Sequence, residues 1–536
     1  MTDRIRLNEG NRRWWTLGAM CFALFMIMLD NTVVNVALPS IQKDLDATIS
    51  GLEWTINAYT LTFAVLLVTG GRLGDILGRR RMFLFGVVVF AVSSAAIGLS
   101  PGQAWLVAGR AIQGIGAAFM MPATLSIITV TFPPEERGKA IGTWAGVSAL
   151  ALAIGPVVGG ALTEYVSWRA IFFLNLPVAA GAVAVTLFAA RESRDETTRH
   201  SIDWPGIAAL SLGLTALVLA LVEGNSWGWS SPEIVALLTT AAVGVISFVL
   251  LEPRVREPMV EFGLFRSSTF VGANAVAFIV SFAMLAIFFF IALYMQNILG
   301  YSAVEAGVRF LPTTLMIVFV APLAGRLADR IGPRPLMVTG LALTAVALFL
   351  QTRIDVDTGY GLLLPAFMIM GVGIALVMSP MSTAAMNSVV AQKAGVASGI
   401  LSMSRMVGAT FGVAAMGALF QHLASNSLES SLAGLPVTAE QRKQLVENLG
   451  SGNSDSVLRH LDPAVAGQVA DASKDAFIHA LSNGMWLSAG IAATGALIAF
   501  FTIAPRRAAE PDAAARPLPA AEAPHAEPAA EAAVSR

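Results

Sequence analysis

The stretch "GRLGDILGRRR" at residues 71–81 returns as "GRLADRIGPRP" at residues 325–335, with six of eleven positions identical at an offset of 254 residues. A loop that is merely basic would explain the arginines, but not a duplicated G-R-L-x-D-x-x-G. Glycines let two helices approach closely at a sharp turn. The aspartate of each copy, Asp75 or Asp329, can cap or ion-pair with a neighbouring helix end. The arginines, Arg79 and Arg80 among them, suit anionic lipid headgroups. With Gly71, Gly78, Gly325 and Gly332 these residues form two candidate gating loops.

The surroundings of both copies are strongly apolar. Of 536 residues 56% are hydrophobic and 13% charged, with mean hydropathy +0.70. A soluble chain carries about a quarter charged residues, so this is an integral membrane protein. A net charge of −1 gives no electrostatic reason for a nucleic-acid partner. The single Cys21 excludes an internal disulfide framework. The basic start (Arg4, Arg6, Arg12, Arg13) precedes an apolar run too long for a signal peptide and lacking an A-x-A site, which reads as an uncleaved span.

Runs long enough to cross a bilayer occur at 14–38, 52–71, 82–100, 103–130, 138–162, 170–190, 204–222, 233–251, 268–295, 304–325, 335–351, 360–380, 395–420 and 481–504. Their Gly, Pro and Ser content favours helices over barrel strands. An even count places both termini on one side. The tails and loops of that side hold 24 of the 34 lysines and arginines, and the short loops opposite hold only Lys43, Arg169 and Arg353. Both termini are therefore expected in the cytoplasm, with the protein in the inner (plasma) membrane. The two copies of the loop then lie on the cytoplasmic side, eight spans apart, as a parallel repeat about an axis along the membrane normal. Residues 421–480 read as a long external loop with a short helix opened by a Thr438–Gln441 capping box. Residues 508–536, rich in Ala, Pro and Glu, read as a disordered cytoplasmic tail.

Polar residues inside the spans mark function. At 1.5 Å per residue Asp30 lies about 14 Å below the outer end of span 1, Arg110 about 10 Å into span 4, and Gly155-Pro156 about 12 Å below the same surface in span 5. Asp30 is an acid well inside a span, and such a charge costs about 2.5–3.5 kcal/mol unless it faces a cavity or a partner. Asp30, Asn31, Val34 and Asn35 share one arc of the helix, expected to line a water-accessible cavity; the alternative is a structural aspartate bonded to neighbouring helices. Arg110, with Gln113 one turn on, is the best cationic partner by depth, unless it only packs against backbone carbonyls. Arg405, about 15 Å from the inner end of span 13, contacts substrate, the other bundle, or neither. Glu223 lies near the outer end of span 7, either interfacial or a second proton site. Glu305 and Arg309 are spaced as a local pair. No Walker motif and no Cys or His metal cluster is present, which leaves an ion gradient as the energy source and no cofactor or metal.

The duplicated loop resembles the signature of the major facilitator superfamily. "LVAGRAIQGIGAA" (106–118) is similar to that superfamily's motif on the fourth helix, and "GVSALALAIGPVVGG" (146–160) to its antiporter motif. "LDNTVVNVALP" (29–39) and "WRAIFFLNLP" (168–177) look like the fourteen-span drug:proton antiporter branch. The resemblance implies an all-α fold of two six-helix bundles, residues 1–190 and 268–507, with two further spans inserted in 191–267. It makes Gly155, Pro156, Gly159 and Gly160 an exporter's bend. Two departures stand out. Ile76 occupies a position that is often basic, and Pro333 and Pro335 interrupt the second copy, which predicts a weaker gate there.

The expected function is a secondary active exporter, not an enzyme, that exchanges protons for amphipathic cationic or neutral small molecules and acts as a monomer among membrane lipids. A lipid or envelope-precursor exporter and a proton-coupled importer are the rivals.

Overall fold

In the computed structural model the described residues are 9–46, 49–195, 203–255, 258, 260–301, 303–356, 358–432, 437–438, 441 and 463–505. Among them fourteen α-helices follow one another: α1 (Glu9–Leu45), α2 (Ile49–Leu77), α3 (Arg79–Gly98), α4 (Gln103–Thr131), α5 (Pro134–Tyr165), α6 (Trp168–Ala189), α7 (Trp204–Trp227), α8 (Pro232–Leu251), α9 (Ser268–Asn297), α10 (Ala303–Ile331), α11 (Pro333–Gln351), α12 (Tyr360–Asn387), α13 (Ala394–Ser431) and α14 (Pro463–Thr502). They match the fourteen expected spans one for one. Thirteen hold a segment long and apolar enough to cross a bilayer; in α9 the shorter apolar segment Ser268–Met284 opens a longer helix. Helices, whose backbones are paired internally, suit that medium.

Helix ends on one face are tied together by polar contacts. Arg12 Nε donates to the Ala189 carbonyl at the end of α6 (2.8 Å), and Arg13 pairs with Glu136 at the start of α5 (2.8 Å). The Ala504 amide after α14 donates to Thr269 Oγ1 at the start of α9 (3.0 Å). This is the face of the duplicated loops, called the loop face below. On the opposite face Asp44 accepts from Arg169 and from Trp168 Nε1, joining α1 to α6. The hydrogen bonds from Arg169 and Trp168 hold that carboxyl below the usual carboxylate range.

The expected external loop 421–480 needs correction. Helix α13 continues to Ser431 and α14 begins at Pro463, so both project beyond the bilayer. Apolar contact carries them outward: Phe420 packs on Phe477 (ring centroids 5.0 Å apart), and Ala424, Leu428 and Val469 are buried. The capping box is present, with Gln441 N–H donating to Thr438 Oγ1 (3.2 Å) and Thr438 N–H to Gln441 Oε1 (2.9 Å). The rest of that expected helix and the 508–536 tail lie outside the described residues.

The α7–α8 turn and the segment after α8 lie at opposite ends of an apolar helix. Cysteines at Ser230 and Arg254, both exposed positions, should therefore react with an impermeant thiol reagent from opposite sides of sealed cells, with buried Cys21 silent. Labelling of both from one side would refute the alternation of spans.

Candidate functional site

Five helices converge on Asp30. α1 brings the acid, α4 brings Arg110 and Gln113 on successive turns, α3 brings Ser94, α6 brings Asn175, and α2 contributes Thr55 and Tyr59. Small residues permit the convergence. A Cβ on Gly114 would stand 2.5 Å from the Tyr59 carbonyl oxygen of α2, and one on Gly109 would stand 2.5 Å from Ile97 of α3. Arg110 Nη1 pairs with Asp30 Oδ2. Asp30 Oδ1 accepts from Gln113 Nε2 (2.9 Å) and Asn175 Nδ2 (3.2 Å). Arg110 is also held by Gln113 Oε1 (2.6 Å) and the Thr55 carbonyl (3.1 Å), with its guanidinium 4.2 Å from the Tyr59 ring centroid. Asn175 and Gln113 both donate to Ser94 Oγ as well (2.8 and 3.2 Å).

The expected wet arc on α1 is corrected here. Asp30 and Val34 are each 1% exposed, Asn31 is half-buried, and Asn35 is exposed, donating to the Asn31 carbonyl (3.2 Å). The acid therefore faces the interior of its own bundle, because α4 and α6 supply donors that satisfy its charge without water. Asn175 and Ser94 were not among the residues singled out from the sequence. A signal for Asn175 existed: seven residues into α6 it sits about 10 Å from the helix start, in the layer of Asp30 and Arg110.

The duplicated loops join the two bundles. Asp75, fully buried, accepts from the amides of Gly395 (2.9 Å) and Val396 (2.8 Å), the second and third residues of α13. Arg79 binds Asp75 Oδ1 (2.7 Å) and donates to the Ala391 and Gln392 carbonyls (2.7 and 2.8 Å). In the second copy Asp329 accepts from the amides of Gly138 (2.9 Å) and Lys139 (3.1 Å) in the first turns of α5. The first glycine of each copy makes the seam. A Cβ on Gly71 would stand 2.2 Å from the Gly395 carbonyl oxygen, and one on Gly325 would stand 1.9 Å from that of Gly138. The last glycine makes the turn into the next helix, with φ +113° at Gly78 and +88° at Gly332, values that disfavour any side chain.

The lipid role expected for the arginines is corrected for Arg79. Arg79 is 2% exposed and serves the seam, and Arg80 donates to the Leu187 carbonyl of α6 (3.1 Å). Helix ends within reach offer these guanidiniums fixed carbonyl acceptors. Ile76 is buried. Pro333 stands where the second copy would need the counterpart of Arg79, and Asp329 has no salt-bridge partner among the described residues. Lys393, just before α13, bonds both Asp195 ahead of α7 (3.4 Å) and Glu261 behind α8, so the inserted pair is tethered to the same seam.

Other expected site residues fall elsewhere. Glu223 on α7 is buried and accepts from Ser226 Oγ (2.9 Å), apart from the Asp30 network. Arg309 donates to the Glu305 backbone carbonyl (3.2 Å) and stacks on Tyr301. Helix α5 is continuous through Gly155 and Pro156. Gly155 and Gly159 serve close approach to α1: a Cβ would stand 1.8 Å from Thr32 Oγ1 and 3.1 Å from Val33 respectively, while Gly160 is roomier. Arg405 of α13 reaches the seam, 5.7 Å over the Trp144 ring of α5.

Paired helical bundles that meet along glycine seams, with a charged network sealed inside one of them, define a multi-span membrane transporter. The Major Facilitator Superfamily profile matches residues 20–413, and the chain belongs to that family. It is similar to the tetracenomycin C resistance and export protein of Streptomyces glaucescens, 35% identical over 96% of this chain and 95% of the relative. The multidrug resistance protein Stp of Mycobacterium tuberculosis is 37% identical, covering 81% and 80%. The puromycin resistance protein of Streptomyces alboniger is 38% identical, covering 75% and 81%. The solved structure of the human organic anion transporter MFSD10 matches with TM-score 0.62 at 13% identity, over 91% of this chain and 99% of that one, a likeness of fold.

Asp75→Asn replaces one acceptor oxygen with a donor and removes the charge that holds Arg79. Charge-assisted hydrogen bonds contribute about 1.5–3 kcal/mol each, so loop-face opening should become at least tenfold more frequent. Val396→Cys, buried in the wild type, should then react correspondingly faster in the purified protein. Unchanged reactivity would remove Asp75 from the gate.

Proposed function

We propose that this chain is a proton-coupled antiporter that exports drug-like amphipathic small molecules across the plasma membrane, with Asp30 carrying the proton. Similarity to resistance and export proteins over most of the chain supports the cargo class and direction. The observation that carries the coupling is that the partners of Asp30 have alternative acceptors. Asn175 and Gln113 can keep Ser94 Oγ, and Arg110 can keep Gln113 Oε1 and the Thr55 carbonyl. Protonation of Asp30 therefore leaves none of these partner groups without an acceptor.

Helix α1 also packs on α5 through Thr32 and Gly155, and α5 meets α10 of the other bundle at the Gly138–Gly325 seam. Rocking of the bundles about that seam shifts α1 against α4, which couples the proton site to access without direct contact between proton and cargo. Each proton moved down the potential contributes about 2.3 kcal/mol per 100 mV, roughly a fifty-fold gradient of a neutral cargo. The duplicated loops act as the gate on the cytoplasmic side, with both termini on that side.

Asp30→Asn keeps the volume and removes the titration. In proteoliposomes it should retain substrate exchange within about threefold and lose at least tenfold of pH-driven accumulation, whereas Asp30→Glu should keep part of it. Arg110→Ala leaves an unpaired buried carboxylate and should destabilise the protein by about 3–5 kcal/mol. Undiminished proton flux on adding substrate to the Asp30→Asn protein would move the carrier elsewhere, with Glu223 the next acid to substitute.

A further inference from the structure

Of the two arginines deep within the spans, Arg110 is paired with a carboxylate and Arg405 is not. Arg405 lies eleven residues into α13, about 16 Å from the loop face, close to the middle of a core about 30 Å thick. Its Nε and Nη2 are buried and have no hydrogen-bond partner among the described residues. No carboxylate pairs with it among the described residues. A guanidinium held this way in the membrane is costly, and a buried donor without an acceptor calls for a ligand or a function. Ordinary packing does not account for it, since arginine carries fixed donors that match planar oxygen groups.

Its surroundings are those of a site. The guanidinium carbon stands 5.7 Å from the ring centroid of Trp144, which belongs to α5 of the other bundle and sits at nearly the same depth, ten residues into its helix. The indole is fixed from behind by its Nε1 hydrogen bond to Thr124 Oγ1 of α4 (3.2 Å). Beside Arg405 on α13, Ser404 bonds Asn274 of α9 (3.1 Å), and Met403 and Met406 are half-buried thioethers that adapt to varied shapes. An aromatic wall, an adaptable apolar floor and an unpaired cation thus meet on the seam that must part for transport. Helices α5 and α13 are also the two whose first turns the gating aspartates hold.

We propose that Arg405 and Trp144 form the cargo-anchoring site of the exporter, and that the cargo is an aromatic compound presenting an anionic or strongly accepting oxygen, such as a carboxylate or phenolate. This rests on the export reading above and narrows its substrate class. Asp30 is neutralised by Arg110 inside the first bundle, so Arg405 leaves the seam with an uncompensated positive charge. A carboxylate accepts from Nε–H and one Nη2–H at once while the aromatic body stacks toward Trp144. A permanent cation is repelled.

The test is binding and exchange without any imposed gradient, so it does not depend on proton coupling. The probes are three fluorescent analogues of one shape: an anthracene carboxylate, the corresponding carboxamide, and a trimethylammonium analogue. The purified wild type should bind the carboxylate at least tenfold more tightly than the ammonium compound, with the carboxamide between them. Arg405→Gln should abolish this preference, losing at least tenfold for the carboxylate and nothing for the ammonium compound; Arg405→Lys should restore most of the charge preference. Trp144→Phe should weaken all three alike, by roughly threefold. A wild type that binds the carboxylate no better than the ammonium analogue, including one that binds neither, overturns the proposal whatever becomes of the variants. Charge preference without proton-driven accumulation would instead keep this site and overturn the coupling reading.

Discussion

The fold turns on carboxylates that cross between the bundles to amides near the start of a helix; those of Gly395 and Val396, the second and third residues of α13, have no acceptor inside their own helix. The first residues of an α-helix expose such N–H groups, and in an apolar surrounding they must find a partner. Here the carboxylate of Asp75 reaches from one bundle to the start of α13 in the other, and Asp329 makes the reciprocal reach to α5. The glycines at 71, 138, 325 and 395 are the complement of this arrangement, because the carboxylates span the seam only if the backbones nearly touch. The two halves differ in strength: Arg79 adds an ion pair and two carbonyl contacts to the first, and Pro333 denies them to the second.

The Asp30 network obeys a different logic. It lies wholly within the first bundle, and its groups are shared rather than paired. Asp30, Gln113, Asn175 and Ser94 form a closed set in which donors exceed single acceptors. In such a set a group that loses one contact keeps another, whereas breaking an isolated buried pair leaves a full uncompensated charge. The inserted α7–α8 pair is tied to the seam rather than to this network. Its flanking residues Asp195 and Glu261 meet at Lys393 beside the start of α13.

Much of this was legible in the sequence because the bilayer imposes a one-dimensional rule. Twenty apolar residues make a span, and arginine and lysine mark a side. Depth along a helix is equally one-dimensional, which is why Asp30 and Arg110 could be placed in one layer before any packing was known. Rotation about the helix axis is not. The arc from Asp30 to Asn35 carries no mark of which neighbour it faces, and in the structure it is split, with Asp30 turned inward and Asn35 outward. Arg79 failed as a lipid anchor for the same reason: carbonyl acceptors from distant segments come within reach only after the helices assemble.

The sequence by itself determined the number of spans, the parallel repeat, the membership of a transporter family, and the depth of its intramembrane charges. The tertiary structure alone decided that Asn175 and Ser94 join the Asp30 network, that the duplicated aspartates bond helix amides in the opposite bundle, and that Arg405 Nε and Nη2 find no hydrogen-bond partner among the described residues while Arg110 is paired with Asp30. The physical reason is that hydrophobicity sums along a chain, residue by residue, whereas a hydrogen bond needs two groups within about 3 Å. Those groups are 145 residues apart for Asp30 and Asn175, and 321 for Asp75 and Val396.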